Sequence, residues 1–230
     1  MDMNNVKSIY DNSVGKEVKK IQDSNGNIIW YKVPDGYRKV EYLEGSGTQY
    51  IDTGWINNQR SIHSYKMKFQ ALALTEGGFF GPFTPQSSIV RPGTLWLSVS
   101  TSKFKMSIGT DNSALSKVSY DYDTNIHTFT NEINEDERTY RVTVDNEESY
   151  KTYAGTVYSE YSTCLFRSST STYPPLSARI FYFIICKNGQ EVRHLIPLVR
   201  NTDNKPGMYD LVNDVFYTNA GSGDFTWGEI

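Results

Sequence analysis

Little in this chain is suited to cross-linking or metal capture: its 230 residues hold two cysteines and three histidines. Cys164 and Cys186 are too few for a disulfide scaffold. Each lies in an apolar, strand-like run where a free thiol behaves as a small hydrophobe, so a buried reduced pair is favoured over a bridge. His63, His127 and His194 are scattered, with no HxxxH or CxxC partner, which leaves a zinc site little support. No serine sits in GxSxG and no glycine-rich loop runs into Lys-Ser or Lys-Thr, so neither a hydrolase nucleophile nor a phosphate cradle is signalled. Charge is nearly balanced, with 23 basic and 26 acidic residues for a net of -3. The absence of a long run of either sign argues against nucleic acid and against a polybasic membrane contact. No uninterrupted apolar run approaches the ~18 residues of a membrane span, and MDMNNVKSIYDN lacks a basic stretch followed by an apolar one. The expectation is a soluble chain without a secretion signal of its own.

What the chain has in quantity is aromatic side chains, 17 tyrosines and 11 phenylalanines, which suit the half-buried surface of a sheet. The most informative stretch is ARIFYFIICKNGQEVRHLIPLVR, residues 178–200. Asn188-Gly189 lets both central residues take positive φ, the condition for a type I′ turn, so a long hairpin is predicted. Its first arm, Ile180 to Cys186, is apolar throughout and reads as a strand covered on both faces. The second mixes Val192, Leu195, Ile196 and Leu198 with Glu191, Arg193 and His194 and carries Pro197, as a strand near an edge does. Strand-like runs precede it at 66–71, 95–99, 104–108, 118–122, 127–130 and 139–145, separated by clusters of glycine, proline, asparagine and serine. Many short strands with no convincing amphipathic helix predict an all-β, two-sheet antiparallel sandwich or jelly roll.

The first segment has its own turn signal at Asn25-Gly26, between EVKKIQ and NIIWYKV, and reads as a second, smaller hairpin. A hairpin this short is marginal in water, so Ile28, Ile29, Trp30 and Tyr31 need a partner, either the main domain or another protein. Pro34-Asp35-Gly36 breaks the chain and sets the expected boundary: 1–33 an N-terminal hairpin module, 34–230 the sandwich.

Three segments, LEGSGTQYIDTGW at 43–55, the 178–200 hairpin and GMYDLVNDVFYTNAGSGDF at 207–225, together resemble the concanavalin A-like, laminin G-like domains found in structural proteins of tailed bacteriophages and in gut bacterial surface proteins. YRVTVDNEES resembles that family's central strand, with Asn146 where a glycine is usual, and TCLFRSS resembles the strand before the closing hairpin. The segment 6–30 is similar to short N-terminal segments of phage virion proteins. The resemblance implies a concanavalin A-like jelly roll in a non-enzymatic virion protein, as a head fibre, capsid decoration or tail appendage. Ile28, Ile29, Trp30 and Tyr31 would serve attachment to other virion proteins. A homo-oligomer, with a trimer among the forms expected, and host surface glycans as ligands follow from the same resemblance. The alternatives are a bacterial surface glycan-binding protein and a glycoside hydrolase of the same fold.

The hydrolases of this fold place carboxylates on alternate positions of one strand, and the nearest counterpart is Glu132, Asn134 and Asp136. Asn134 replaces the central carboxylate and Asp136 shortens the last arm, so the stretch reads better as a solvated loop. Some relatives bind calcium at a loop rim, for which Asp111 with Asn112, or Asp121 with Asp123, would be the candidates, but aspartates in surface turns are common without metal and no cofactor is expected. Sugars are held by aromatic faces beside polar groups, and Trp55, Trp96 and Tyr173 are the candidate carbohydrate-binding residues, with Tyr65 and Trp227 also at strand ends or in loops. The loops 75–92 and 168–175 are where contacts are expected first.

Overall fold

The computed structural model of the chain describes residues 9–11, 16–18, 20–22, 28–58, 61–73, 75–82, 91–98, 103–109, 116–121, 123–153, 157, 159–167 and 175–230. Every regular element among them is a strand. Two short hairpins come first, β1 (Ile9–Asp11) with β2 (Lys16–Val18) and β3 (Lys20–Gln22) with β4 (Ile28–Tyr31). The predicted small hairpin corresponds to the second pair, and EVKKIQ is divided between the two. The Asn25-Gly26 turn lies outside the described residues. At the Pro34-Asp35-Gly36 break, the Tyr37 N–H donates to the Pro34 carbonyl at 3.2 Å and Gly36 takes φ 84°, a value open to glycine at little cost.

The body follows as β5 (Tyr37–Lys39), β6 (Tyr42–Ser46), β7 (Ile51–Asp52), β8 (Ile62–Ala71), β9 (Gly77–Pro82), β10 (Arg91–Ser98), β11 (Lys103–Gly109) and β12 (Ser116–Asp121). Then come β13 (Ile126–Asn134), β14 (Thr139–Val144), β15 (Glu147–Thr152), β16 (Thr163–Leu165), β17 (Ser177–Lys187), β18 (Gln190–Arg200), β19 (Lys205–Asp210), β20 (Val215–Tyr217) and β21 (Thr226–Gly228). Six strands form one sheet in the order β12-β11-β10-β9-β16-β7. Eleven form the other, β15-β14-β13-β8-β17-β18-β19-β20, with β6 paired to β17 and β21 and β5 paired to β18. The strand pairings within both are antiparallel. The architecture is an all-β, two-sheet antiparallel sandwich.

Period-2 alternation builds its core. Along β8, His63, Tyr65, Met67, Phe69 and Ala71 are buried while Ser64, Lys66, Lys68 and Gln70 face outward. Across the gap, Phe79, Phe80 and Phe104 of the small sheet meet Tyr65, Phe69, Phe129 and Phe183 of the large one. Ring centroids lie 4.4 Å apart for Phe69–Phe79, 5.3 Å for Phe69–Phe104 and 5.1 Å for both Phe80–Phe183 and Tyr65–Phe80. Side chains of this size contribute roughly 1.5–3 kcal/mol each when fully buried, so these rings are a large part of what joins the sheets. The stretch 75–92, read above as a loop, contains β9, buried at every position and paired to both β10 and β16. Phe79 and Phe80 decide its place, and the glycines beside them disguise it.

The long hairpin forms as predicted. Asn188 and Gly189 take φ 50° and 77° and join two 11-residue strands. The edge reading of its second arm is corrected: β18 lies inside the large sheet, between β17 and β19. Pro197 is tolerated there because the ladder from β18 to β17 stops at Leu195 and the one to β5 begins at Leu198. Proline therefore stands in a gap that needs no N–H donor on that side. In the VDN turn, positive φ falls on Asp145 (52°) and not on Asn146.

The large sheet also carries an apolar layer on its outer face. Ile196, Leu198, Tyr209 and Leu211 are buried there, and Tyr31, Val33, Tyr37 and Phe216 pack against them. Trp30 is buried as well. The partner that the small hairpin requires is, in this structure, the body of the same chain.

Candidate functional site

The gap at Pro197 opens into a groove. At this point the large sheet forks: β17 continues into pairing with β6, through Ile180↔Leu43, while β18 continues into pairing with β5, through Leu198↔Lys39. Val40 and Glu41 bridge β5 to β6 across the fork. A second irregularity lies beside it, because the β17–β8 register shifts between Ile180 and Tyr182. Phe181 is the extra residue of a bulge, and a bulge re-aims side chains that strict alternation would send to opposite faces. Both Phe181 and Tyr182 consequently line the groove. Its volume is about 540 Å³, and Tyr31, Lys39, Lys68, Ile196 and Glu229 complete much of the wall.

Cations are laid over rings along this face. The Lys39 ammonium stands 4.7 Å from the Tyr31 ring centroid, that of Lys68 5.0 Å from Phe181, and the Arg179 guanidinium 4.4 Å from Tyr42, which packs edge-on against Phe181 at 5.5 Å. Burial against the groove lowers the Lys39 pKa, although the residue as a whole is exposed, and burial raises that of the Tyr31 phenol. The Arg179 Nε–H donates to Glu44 at 2.6 Å, which raises its pKa. On the rim, the Trp227 indole N–H donates to Glu229 at 2.8 Å and fixes that carboxylate. Ring faces, ammonium groups and carboxylates thus converge on one open depression. Such a set can stack against the C–H face of a sugar ring and hydrogen-bond its hydroxyls.

The residues singled out from the sequence are dispersed. Trp55 packs against the main core with the Arg193 guanidinium 6.0 Å from its ring, and it does not line the groove. Trp96 belongs to β10, opposite Lys105 and Gly78, and its side chain lies outside the description. Tyr173 lies outside the described residues, as do Asp111, Asn112 and the loop 168–174. Tyr65 is buried in the core, where burial raises its phenol pKa. Of the four attachment candidates, Trp30 is buried and Tyr31 lines the groove; the side chains of Ile28 and Ile29 are not described. Phe181 and Tyr182 went unnoticed as site residues because they sit in an unbroken apolar run, and only a register shift turns both outward.

The carboxylates read from the 132–136 and 121–123 stretches lie apart from the groove. Glu132 is exposed on β13, opposite Ser64 and Arg141. Asn134 ends that strand by accepting the N–H groups of Asp136 and Glu137 at 3.0 and 3.1 Å. The three positions therefore do not share one extended strand. The buried carboxylate here is Glu135, 3.2 Å from His63 and accepting the Asn57 amide at 3.1 Å. Asp121 is paired with Lys103, and Asp123 accepts the Asn125 N–H at 2.6 Å and lies 2.8 Å from His127. The Asn125 N–H is the main cause of the lowered Asp123 pKa. Among the described residues no three histidine, cysteine or acidic side chains are grouped as metal ligands. Cys164 and Cys186 are both free thiols, and burial raises the pKa of Cys186.

No protein-family model matches the sequence, and no curated protein matches it. Among solved structures, the chain is similar to domains LG4-5 of the mouse laminin alpha1 chain, at 17% identity and a TM-score of 0.49, over 85% of this chain and 48% of that one. It is also similar to the crystal structure of HCR/D-Sa-GBL1/C, at 10% identity and a TM-score of 0.39, over 92% of this chain and 64% of that one. The chain spans about half the length of the laminin structure it matches. These are likenesses of fold and carry nothing about ligands.

Proposed function

We propose that this chain is a non-enzymatic binding module that takes a glycan in the groove at the fork of the large sheet. The observation that carries the reading is the convergence of Tyr31, Phe181 and Tyr182 with Lys39, Lys68 and Glu229 on one open depression. We further propose, on the sequence resemblance alone, that the module is a component of a phage virion. It would be displayed as a head fibre, capsid decoration or tail appendage, as a homo-oligomer, and would meet glycans of the host surface.

A glycan array tests the binding. The wild-type protein is expected to retain at least one glycan class that Lys68→Ala binds more weakly, while catalysing no cleavage of it. Retention of no glycan, or equal retention by the variant, contradicts the groove as the site. Mass spectrometry of separated heads and tails from purified particles tests the virion assignment.

A further inference from the structure

We propose that the ligand of the groove is a linear, neutral oligosaccharide whose chain leaves the groove along β8 for a second subsite on the outer face of the large sheet. The inference rests on the groove being a glycan site and names the kind of glycan it takes. The second subsite is a shallow trough of about 220 Å³ lined by Ser64, Thr130, Glu132, Arg141 and Thr143. Register puts these side chains on one face. Ser64, Glu132 and Arg141 form one row across β8, β13 and β14, and Lys66, Thr130 and Thr143 form the next. Asn131 ties two of the strands together here, its side-chain oxygen accepting the Tyr65 N–H at 3.0 Å. At the far end Tyr150 of β15 is the register partner of Arg141 and is 57% exposed. An open ring beside hydroxyl, carboxylate and guanidinium groups suits a sugar, whose C–H face stacks while its hydroxyls find donors and acceptors.

Groove and trough belong to the same face of the same sheet. Lys68 lines the groove and stands in line with Lys66 and Ser64, the outward positions of β8. From Lys68 to Ser64 is about 14 Å of extended strand at ~3.4 Å per residue. That is farther than one sugar ring reaches and within the span of a short chain. The side chains on the way, Lys66, Thr128 and Thr130, are half-buried and polar, so no apolar ridge blocks the path. On the other side of the groove the surface is closed by the apolar layer of Ile196 and Leu198 with Tyr31 and Val33. The open direction therefore runs over β8 towards β14.

Charge selects the class of sugar. Over the trough, Lys66 and Arg141 are balanced by Glu132 and Glu148, the last 3.8 Å from Arg141. In the groove, Lys39 and Lys68 stand with Glu41 and Glu229. Each end sums to zero in these side chains. A uronic or sulfated chain would meet carboxylates at both ends, whereas neutral hydroxyls accept from the cations and donate to the carboxylates.

Calorimetric titration of the protein with neutral oligosaccharides of glucose, mannose, galactose and N-acetylglucosamine, each as disaccharide and hexasaccharide, tests this. At least one hexasaccharide is expected to bind more tightly than its disaccharide. Arg141→Ala and Tyr150→Ala, both at exposed positions, should each weaken that hexasaccharide about tenfold, the effect of losing one charge-assisted hydrogen bond or a comparable contact, and leave the disaccharide unchanged. Lys68→Ala should weaken both lengths. Equal binding of the two lengths, a hexasaccharide advantage that survives both trough variants, or retention of none of the neutral chains overturns the inference. If in that event Lys68→Ala still weakens the disaccharide, or an acidic glycan binds in place of the neutral ones, the groove reading stands without it. If the trough variants weaken the hexasaccharide while Lys68→Ala weakens neither length, the groove reading falls and the connected path falls with it.

Discussion

The ammonium of Lys68 lies 5.0 Å from the centre of the Phe181 ring, and its register partner on β17 is the next residue, Tyr182. One lysine thus marks the bulge that turns two consecutive aromatics into the groove. Since a cation–π contact contributes about 0.5–2 kcal/mol depending on its exposure, Lys68→Ala should stay within about 2 kcal/mol of wild type in urea denaturation while weakening ligand retention. A loss of several kcal/mol would mean that Lys68 supports the fold and not the site.

Asp210 is fully buried and holds the β19–β20 turn. Its carboxylate accepts the N–H groups of His194 and Val212 at 2.9 and 3.0 Å and the Asn213 amide at 2.7 Å. Asp210→Ala strands these donors, so a destabilisation of roughly 2–4 kcal/mol is expected from the lowered denaturant midpoint. Asp210→Asn, which keeps one acceptor oxygen, should cost less. A midpoint unchanged in Asp210→Ala would refute the role.

At the tip of the long hairpin, a Cβ on Gly189 would meet nothing within 4 Å. Its φ of 77° is the whole penalty for a side chain, about 1–2 kcal/mol. Gly189→Ala should therefore lower stability by that amount without altering the fold. A larger loss would show that space, and not conformation, constrains the turn.

Burial, reinforced by the Asp214 carboxylate, pushes the Tyr209 phenol up to about 12. A folded value above the unfolded one of ~10 favours the neutral form, so the stability it carries is complete below about pH 10 and is lost as pH rises towards 12. Burial raises Tyr31 and Tyr65 in the same direction. Ultraviolet titration should show a fraction of the 17 tyrosines resisting ionisation until the chain unfolds in alkali. Ionisation of all of them near pH 10 would contradict the buried placements.

The sandwich was legible because its signals are local. The Asn188-Gly189 turn, the alternation through Phe104 and Met106, and the doubly apolar run of β17 each name their own structure. The groove was not legible, because it arises from pairing between distant segments. Nothing near Pro197 announces that β17 and β18 part company there, and nothing near Phe181 announces a register shift against β8. The tryptophans drew attention as sugar platforms, yet Trp55 joins the core and Trp227 contributes by fixing Glu229. Gly77 and Gly78 suggested a loop where Phe79 and Phe80 make a central strand. The attachment residues illustrate the same limit: an apolar hairpin advertises that it needs a partner, while the identity of that partner depends on the outer-face layer around Ile196 and Leu198.

The most direct test is to map an array-selected glycan onto the protein by chemical-shift perturbation. Shifts are expected to concentrate at Tyr31, Lys39, Lys68, Phe181 and Tyr182, with the half-buried Trp55 undisturbed. Perturbation confined to the surroundings of Trp55, with the fork of the sheet silent, would contradict the groove as the site.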